Sequence, residues 1–323
     1  MDLIADKLKL IYLAVYRIVV LLFIVPLIAF AEPLAEPKKI AFIVSRWSDP
    51  YSQVVAAVRD NLPAESYIFQ TIHQDAGGVI DRKIVDTDIV VTVGASATEK
   101  LMARKSDVKM VAVLITDSAF SSLANKYFGS KQAALNAGVS VVCLDQPVQR
   151  SVELAKLIMP RAEKAGLMVG PASYDHIEIF SRQINMAGMR PNIVKFSAQE
   201  NPILSIEPVL SQSDIFIPVP GTRLINIATA KWILQLSYRY RVPVIAYSKA
   251  YLKGGALAAL YSSPVNVGRQ TAELLSHNLQ TPALVGGAHM PAYFSIAFND
   301  SVAAFFNLSL ESENFYIRQL AAD

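Results

Sequence analysis

From residue 39 onward the chain alternates between two hydrophobic periods. Short runs rich in Val and Ile, at 39–44 (KIAFIV), 66–70, 88–93 (DIVVTV), 109–115 and 139–144, read as strands. Between them, 51–61 carries Val54, Val55 and Val58 on one helical face before Pro63, and 96–104 reads as a second helix. A further series places strands at 166–169, 192–196, 214–219, 244–247 and 257–261, and helices at 151–159, 174–187, 225–240 and 266–279. A strand near 293–297 and a helix at 300–306 close it. Near-continuous apolar strands with intervening helices predict parallel sheets covered on both faces. Two such series predict an α/β protein of two doubly wound parallel-sheet lobes. The expected division is 32–143 plus part of 256–300 for lobe 1, and 144–255 plus part of the C-terminus for lobe 2. Val93-Gly94-Ala95-Ser96 and Val169-Gly170-Pro171-Ala172-Ser173 echo one another, each joining a strand to a helix through small residues. Convergent turn chemistry accounts for that echo as well as duplication does.

The first 31 residues follow neither period. Lys7, Lys9 and Arg17 form a basic start, 18–30 (IVVLLFIVPLIAF) is apolar, and Ala29-Phe30-Ala31 supplies a small-x-small cleavage pattern. Glu32-Pro33 follows, and a proline there stops any continuing helix. The segment reads as a secretory signal peptide cut after Ala31. An uncleaved anchor over 10–30 is the alternative, but Arg17 interrupts that span and Pro26 weakens it. A lipid anchor would need a cysteine directly after the cut, whereas the single cysteine is Cys143. The expected location is therefore an extracytoplasmic space, with no internal disulfide.

Composition adds mainly exclusions. The 323 residues carry a net charge of +3, too little for a nucleic-acid field, and no block of like charge suggests a tail. The four histidines, His73, His176, His277 and His289, form no metal-spaced pair, and no phosphate loop or dinucleotide fingerprint occurs, so no cofactor or metal is expected. Gly94-Ala95-Ser96-Ala97-Thr98 approaches the nucleophile elbow G-x-S-x-G, but Thr98 stands where the turn needs glycine. A hydrolase using Ser96 with Asp214 and His289 is thus a remote alternative to a non-enzymatic protein.

The same turn suits binding better. Amides opening a helix carry positive partial charge and accept carboxylates, with Ala95, Ser96, Ala97 and Thr98 forming the edge of such a seat. In open α/β sheets ligands sit at the carboxyl ends of strands. That rule nominates Trp47 and Tyr51 after the first strand, Asp117 and Ser118 after 109–115, and Ser173 and Tyr174 after 166–169. It also nominates Thr222 in a later turn, and Tyr247 and Ser248 after 244–247. Asp117 is positioned to receive a ligand ammonium, and the aromatic residues offer flat apolar faces.

Val242-Pro243-Val244-Ile245-Ala246-Tyr247-Ser248-Lys249, Gly255-Ala256-Leu257, Tyr261-Ser262 and Gly268-Arg269-Gln270 resemble the ABC-transporter substrate-binding family related to tryptophan- and tyrosine-type binding proteins. Asn299 to Ala303 matches a late motif of that family loosely. The resemblance implies the type I periplasmic-binding-protein fold, with lobes joined by a hinge that close over a small solute such as an amino acid or other small carboxylate. It implies an ABC permease and ATPase as partners, with membrane contact only through the permease. A periplasmic sensor subunit is the alternative on the same fold. Hinge crossings are expected near 141–147 and near 247–256.

Overall fold

The computed structural model describes residues 12–13, 15–16, 36–75, 78–104, 108–197, 200–220, 227–280 and 286–321. The chain divides into two compact units, Met1–Pro37 and Lys38–Asp323. Nearly all of the expected signal peptide lies outside the described residues. No helix among them is long and apolar enough to cross a membrane.

The second unit begins with β1 (Lys38–Val44), α1 (Asp49–Asp60), β2 (Tyr67–His73), α2 (Gly78–Ile84), β3 (Ile89–Val93) and α3 (Ala95–Met102). β4 (Met110–Ile115), α4 (Asp117–Phe128), α5 (Lys131–Asn136) and β5 (Val139–Cys143) complete the first series. The chain then crosses into α6 (Val148–Ile158), β6 (Lys164–Val169), a 3-10 turn at Pro171–His176 and α7 (Ile177–Met186). β7 (Arg190–Lys195), α8 (Pro202–Ser211), β8 (Ile215–Phe216), α9 (Ile227–Tyr240), β9 (Ile245–Ala246), α10 (Ala250–Lys253) and β10 (Ala258–Tyr261) follow. Last come α11 (Pro264–Gln280), β11 (Ala288–His289), β12 (Ser295–Phe298), α12 (Asp300–Phe305) and α13 (Glu313–Ala321).

Lobe 1 is one sheet in the order β2-β1-β3-β4-β5-β11, with every pair parallel. Successive residues of its strands enter opposite cores, as a period of two requires. Ile40, Phe42, Val91 and Val113 meet α1 and α11, whereas Ala41, Ile43, Val90 and Ala112 meet α3, α4 and α5. All of β3 is buried, including Thr92, whose hydroxyl pairs with that of Thr98 at 2.9 Å.

Lobe 2 is ordered β7-β6-β8, continued through a parallel bridge between Phe216 and Val244 into β9-β10-β12. The first five strands repeat the order of lobe 1, and β12 lies antiparallel to β10. This last strand departs from the all-parallel expectation, because its chain re-enters from lobe 1 and meets the sheet from the opposite direction. The strand expected over 214–219 pairs regularly only at Ile215–Phe216. The matched strand order also settles the sequence echo. Val93-Gly94 ends the third strand of lobe 1, but Val169-Gly170 ends the first of lobe 2, so the two turns are not equivalent.

Three segments cross between the lobes: 144–147 after β5, 262–263 after β10, and 290–294 after β11. The crossing expected near 247–256 is absent, since β9 and β10 pair within one sheet. The Gln146 amide donates to Ser262 Oγ (2.7 Å), and Ser262 donates to the Tyr293 carbonyl (3.1 Å). Arg150 donates to Gln146 Oε1 (2.6 Å) and to the Pro291 carbonyl (3.1 Å), and lies over the Phe294 ring at 4.4 Å. The crossings are therefore tied into one belt.

Candidate functional site

The belt flanks a cavity of about 260 Å³ that draws its walls from both lobes. Asp117 and Ser118 enter from the start of α4, and Asp145, Gln146, Pro147 and Val148 from the first crossing. Ser173, His176, Ile179, Phe180 and Gln183 come from the turn after β6 and from α7. Val219 and Pro220, beyond β8, and Met290, beyond β11, complete it. These residues follow the carboxyl ends of β4, β5, β6 and β8, the end of an open α/β sheet where ligands bind. The volume is below the roughly 300–1,000 Å³ of pockets for drug-sized ligands, so its occupant is small.

Local chain geometry aims the lobe-1 wall. The register of β4 against β5 shifts between Ala112 and Ile115, and Leu114 has φ +52°. A bulge with a left-handed non-glycine residue re-aims the chain beyond it, and such strain gathers at functional sites. Immediately after it, Thr116 caps α4 by accepting the Ala119 amide hydrogen at 3.3 Å, which places Asp117 in the first helical turn.

Two carboxylates meet there. Asp145 accepts the Asp117 backbone N–H, and Asp117 pairs with the Lys131 ammonium. Burial pushes the Asp145 carboxyl up to about 6, the Asp117 charge adds to that rise, and the Asp117 amide and Lys131 oppose it. Behind them the buried Cys143 thiol lies 3.7 Å from Asp117 and is pushed up to about 12, chiefly by burial and then by the two carboxylates. A neutral, enclosed thiol of this kind is a core residue, not a nucleophile. Tyr247 is raised first by burial and further by the Asp145 charge, and its hydroxyl pairs with that of Tyr251 at 2.8 Å.

The residues nominated from sequence are distributed unevenly. Asp117, Ser118 and Ser173 line the cavity. Tyr174 turns away, donating its hydroxyl to the Phe196 carbonyl at 2.9 Å. Trp47 is 65% exposed in the loop after β1, and Ser248 follows Tyr247 beyond β9. Thr222 lies outside the described residues.

The Gly94 turn differs from its expected form. Ala95 and Ser96 are exposed, but Ala97 and Thr98 are buried, and the Thr98 hydroxyl donates to the Gly94 carbonyl at 3.0 Å. The Ala97 amide donates to Ser45 Oγ (2.9 Å), and the Gly94 amide to the Val113 carbonyl (2.8 Å). Glycine is required at 94 because φ is +94° and a Cβ would meet Ser45 Oγ at 2.6 Å and the Tyr51 ring at 2.7 Å. The close approach is made by the protein's own side chains, and the Ala97 and Thr98 amides are committed inside the fold, which leaves Ala95 and Ser96 as the exposed part of the turn. Ser96 gains no triad either. Asp214 accepts the Glu163 and Lys164 amides, at 2.8 Å each, at the amino end of β6.

Asp145, His176, Phe180, Gln183 and Val219 were not nominated from sequence. Asp145 had a usable signal, since it follows the carboxyl end of a buried strand. A larger concavity of about 630 Å³, lined by Ile158, Arg161, Asp214, Tyr240 and Phe306 among others, lies entirely on lobe 2 at the amino ends of its strands. It faces away from the ligand-bearing end of the sheet.

A sequence model of the family described as ABC transporter substrate binding protein matches residues 64–284. The chain belongs to this family. It is a family of binding proteins and not of enzymes, and members associate with ABC transporters. Among solved structures, an ABC domain from Streptococcus pneumoniae in complex with L-Trp is similar at 15% identity. The match has a TM-score of 0.54 and covers 86% of this chain and 97% of that one. A substrate-binding protein with adhesive properties from Clostridium difficile, in its ligand-free, open form, is 14% identical with a TM-score of 0.62. That match covers 85% of this chain and 96% of the other. A conserved domain protein from Vibrio cholerae is 16% identical with a TM-score of 0.52, over 88% and 98% of the two chains. These likenesses confirm the type I periplasmic-binding-protein fold. No curated protein is significantly similar to the chain.

The family motif Gly268-Arg269-Gln270 acquires a physical role here. A Cβ on Gly268 would meet Val54 O at 2.8 Å and Ala57 Cβ at 2.5 Å, so glycine lets α11 lie directly on α1. Arg269 lies over the Tyr293 ring at 4.0 Å. Gln270 donates to the Met290 carbonyl (2.8 Å) and accepts from the Ala292 amide (3.0 Å). The motif therefore packs lobe 1 and pins the third crossing beside the cavity.

Proposed function

We propose that the protein is the soluble solute-binding component of an ABC importer, working in the periplasm after cleavage behind Ala31. Its two lobes close over one small ligand, and the closed form docks on a membrane permease driven by a cytoplasmic ATPase. The observation that carries this reading is the cavity between the lobes, built at converging strand ends and flanked by three tied crossings. A ligand touching both lobes stabilises the closed arrangement by the difference in contacts it makes in the two states. Asp117, Ser118, Ser173, Asp145 and His176 are the proposed polar contacts, with Phe180 and Val219 as apolar ones. Ala95, Ser96, Tyr247 and Ser248, also at strand ends, join them on closure.

A thermal-shift screen of residues 32–323, which include the whole compact unit Lys38–Asp323, against amines, amino acids, organic acids, purines and sugars tests the binding reading. One class raises the melting temperature, by about 2.7 kcal/mol of stabilisation at a hundredfold excess over Kd. No shift from any class, with the protein folded, overturns the reading. Mass spectrometry of the exported protein tests the leader: the mature chain begins at Glu32, and an intact N-terminus in the membrane fraction would refute cleavage.

A further inference from the structure

The two walls of the cleft differ in charge. On lobe 1, Asp117 and Asp145 both line the cavity, held together by the bond from the Asp117 amide to Asp145. No lysine or arginine lines it among the described residues. The nearby cation is Lys131, which reaches Asp117 from α5. On lobe 2, Ser173 is only 3% exposed and lines the cavity, yet its hydroxyl makes no hydrogen bond to a described group. A hydroxyl on a cavity wall that no described side chain occupies is available to bond a ligand there. Phe180, Ile179 and Val219 provide the apolar surface beside it.

We propose that this cleft selects a small primary amine of net positive charge, whose ammonium enters between Asp117 and Asp145 and displaces Lys131 from Asp117. The inference rests on the binding-protein reading above and names the chemical class of the ligand. Lys131 is the cation that pairs with Asp117 in this structure. The ammonium has three N–H donors, which match the two carboxylates and the Ser173 hydroxyl. A free carboxylate entering the same cavity meets two acids and no lysine or arginine among the described lining. A zwitterion gains the ammonium contacts but brings a carboxylate with no such partner.

Asp145 sets the pH response. The groups around it are Asp117 at the start of α4, Lys131 from α5, Cys143 at the end of β5 and Tyr247 beyond β9, with His176 across the cavity. Its carboxyl is pushed up to about 6, with burial as the largest cause. Cation affinity is therefore full above that value and falls as pH is lowered through it, by about tenfold between pH 7.5 and pH 5.

The test is calorimetric titration of the protein with matched pairs: tyramine against tyrosine, tryptamine against tryptophan, and putrescine against succinate, with ribose as a neutral control. At least one amine binds tenfold or more tightly than its carboxylate-bearing partner. Asp145→Asn lowers amine affinity at least tenfold and flattens the pH profile. Lys131→Met raises amine affinity severalfold, which keeps the idea testable should Asp145→Asn fold poorly. Tighter binding of the amino acids or of succinate overturns the proposal. So does unchanged amine affinity in a cooperatively melting Asp145→Asn protein, or a pH response that persists there and vanishes in His176→Gln. Binding only of carboxylates or ribose refutes the amine class while the binding-protein reading stands. Silence from every compound, the screen above included, overturns both.

Discussion

Asp145 shows how one residue couples stability to pH. Its carboxyl is raised from the ordinary 3.8 to about 6 by burial, so the folded state holds the proton more tightly than the unfolded chain. The stability this contributes is fully present below about pH 3.8 and is lost as pH rises through about 6. At about 1.4 kcal/mol per tenfold, the buried charge destabilises the ligand-free protein by roughly 3 kcal/mol at neutral pH. Asp145→Asn is expected to raise the melting temperature at pH 7.5 and to leave it nearly unchanged at pH 3.5, by differential scanning calorimetry. Gly94 is a second residue whose role is backbone geometry. Gly94→Ala forces a Cβ against Ser45 and Tyr51 at φ +94°. Its expected effect is a loss of about 2 kcal/mol, read as a lowered urea midpoint. An unchanged midpoint would show that Ser45 and Tyr51 yield freely.

At the scale of elements, the contact of α11 with α1 joins a late helix to the first lobe. Val267, Ala272 and Leu275 enter the same core as Val54, Val55 and Val58. Gly268→Ala places a methyl group on the α1 backbone near Val54 and Val58, and overpacking of this kind costs about 2 kcal/mol. The expected result is a melting temperature lower by roughly 5 °C. Hydrogen exchange should quicken in α1 and α11 and remain unchanged in α8 and α9, which share the other lobe's core. Uniform acceleration in both lobes would instead mark a single cooperative unit. The helices α4 and α5 escaped the hydrophobic pattern because α4 buries only Phe120 and Ala124, and the short α5 only Ala134. α8 escaped it because Pro208 stands inside the helix and reads as a breaker.

At the scale of the molecule, the chain passes between lobes three times, and Gln146 touches two of the other partners in the belt. Gln146→Ala removes the bonds to Ser262 and Arg150 while leaving both cores intact. Its expected cost to folding is about 1 kcal/mol per bond lost. Small-angle scattering of the ligand-free variant should show a wider spread of lobe arrangements than the parent, and saturating ligand should narrow both to one compact form. Identical scattering in the free proteins would place the hinge stiffness elsewhere.

Local sequence determined the element types and the two-lobed plan, because a parallel strand buried on both faces must be apolar nearly throughout, as β3 and β5 are apart from Thr92 and Ser140. It also determined which turns follow strand carboxyl ends, and hence Asp117, Ser118 and Ser173 at the cavity. Only the tertiary structure decided the shared strand order of the two lobes, the antiparallel β12 and the paths of the second and third crossings, since these depend on pairings between residues far apart in the chain. It also reversed the meaning of Gly94: a glycine needed for close approach looks the same in sequence whether the approaching group is a ligand or Ser45 and Tyr51. Asp145 needed the fold for the same reason. Its chemistry comes from burial beside Asp117 and Lys131, and none of that proximity is written in its immediate neighbours.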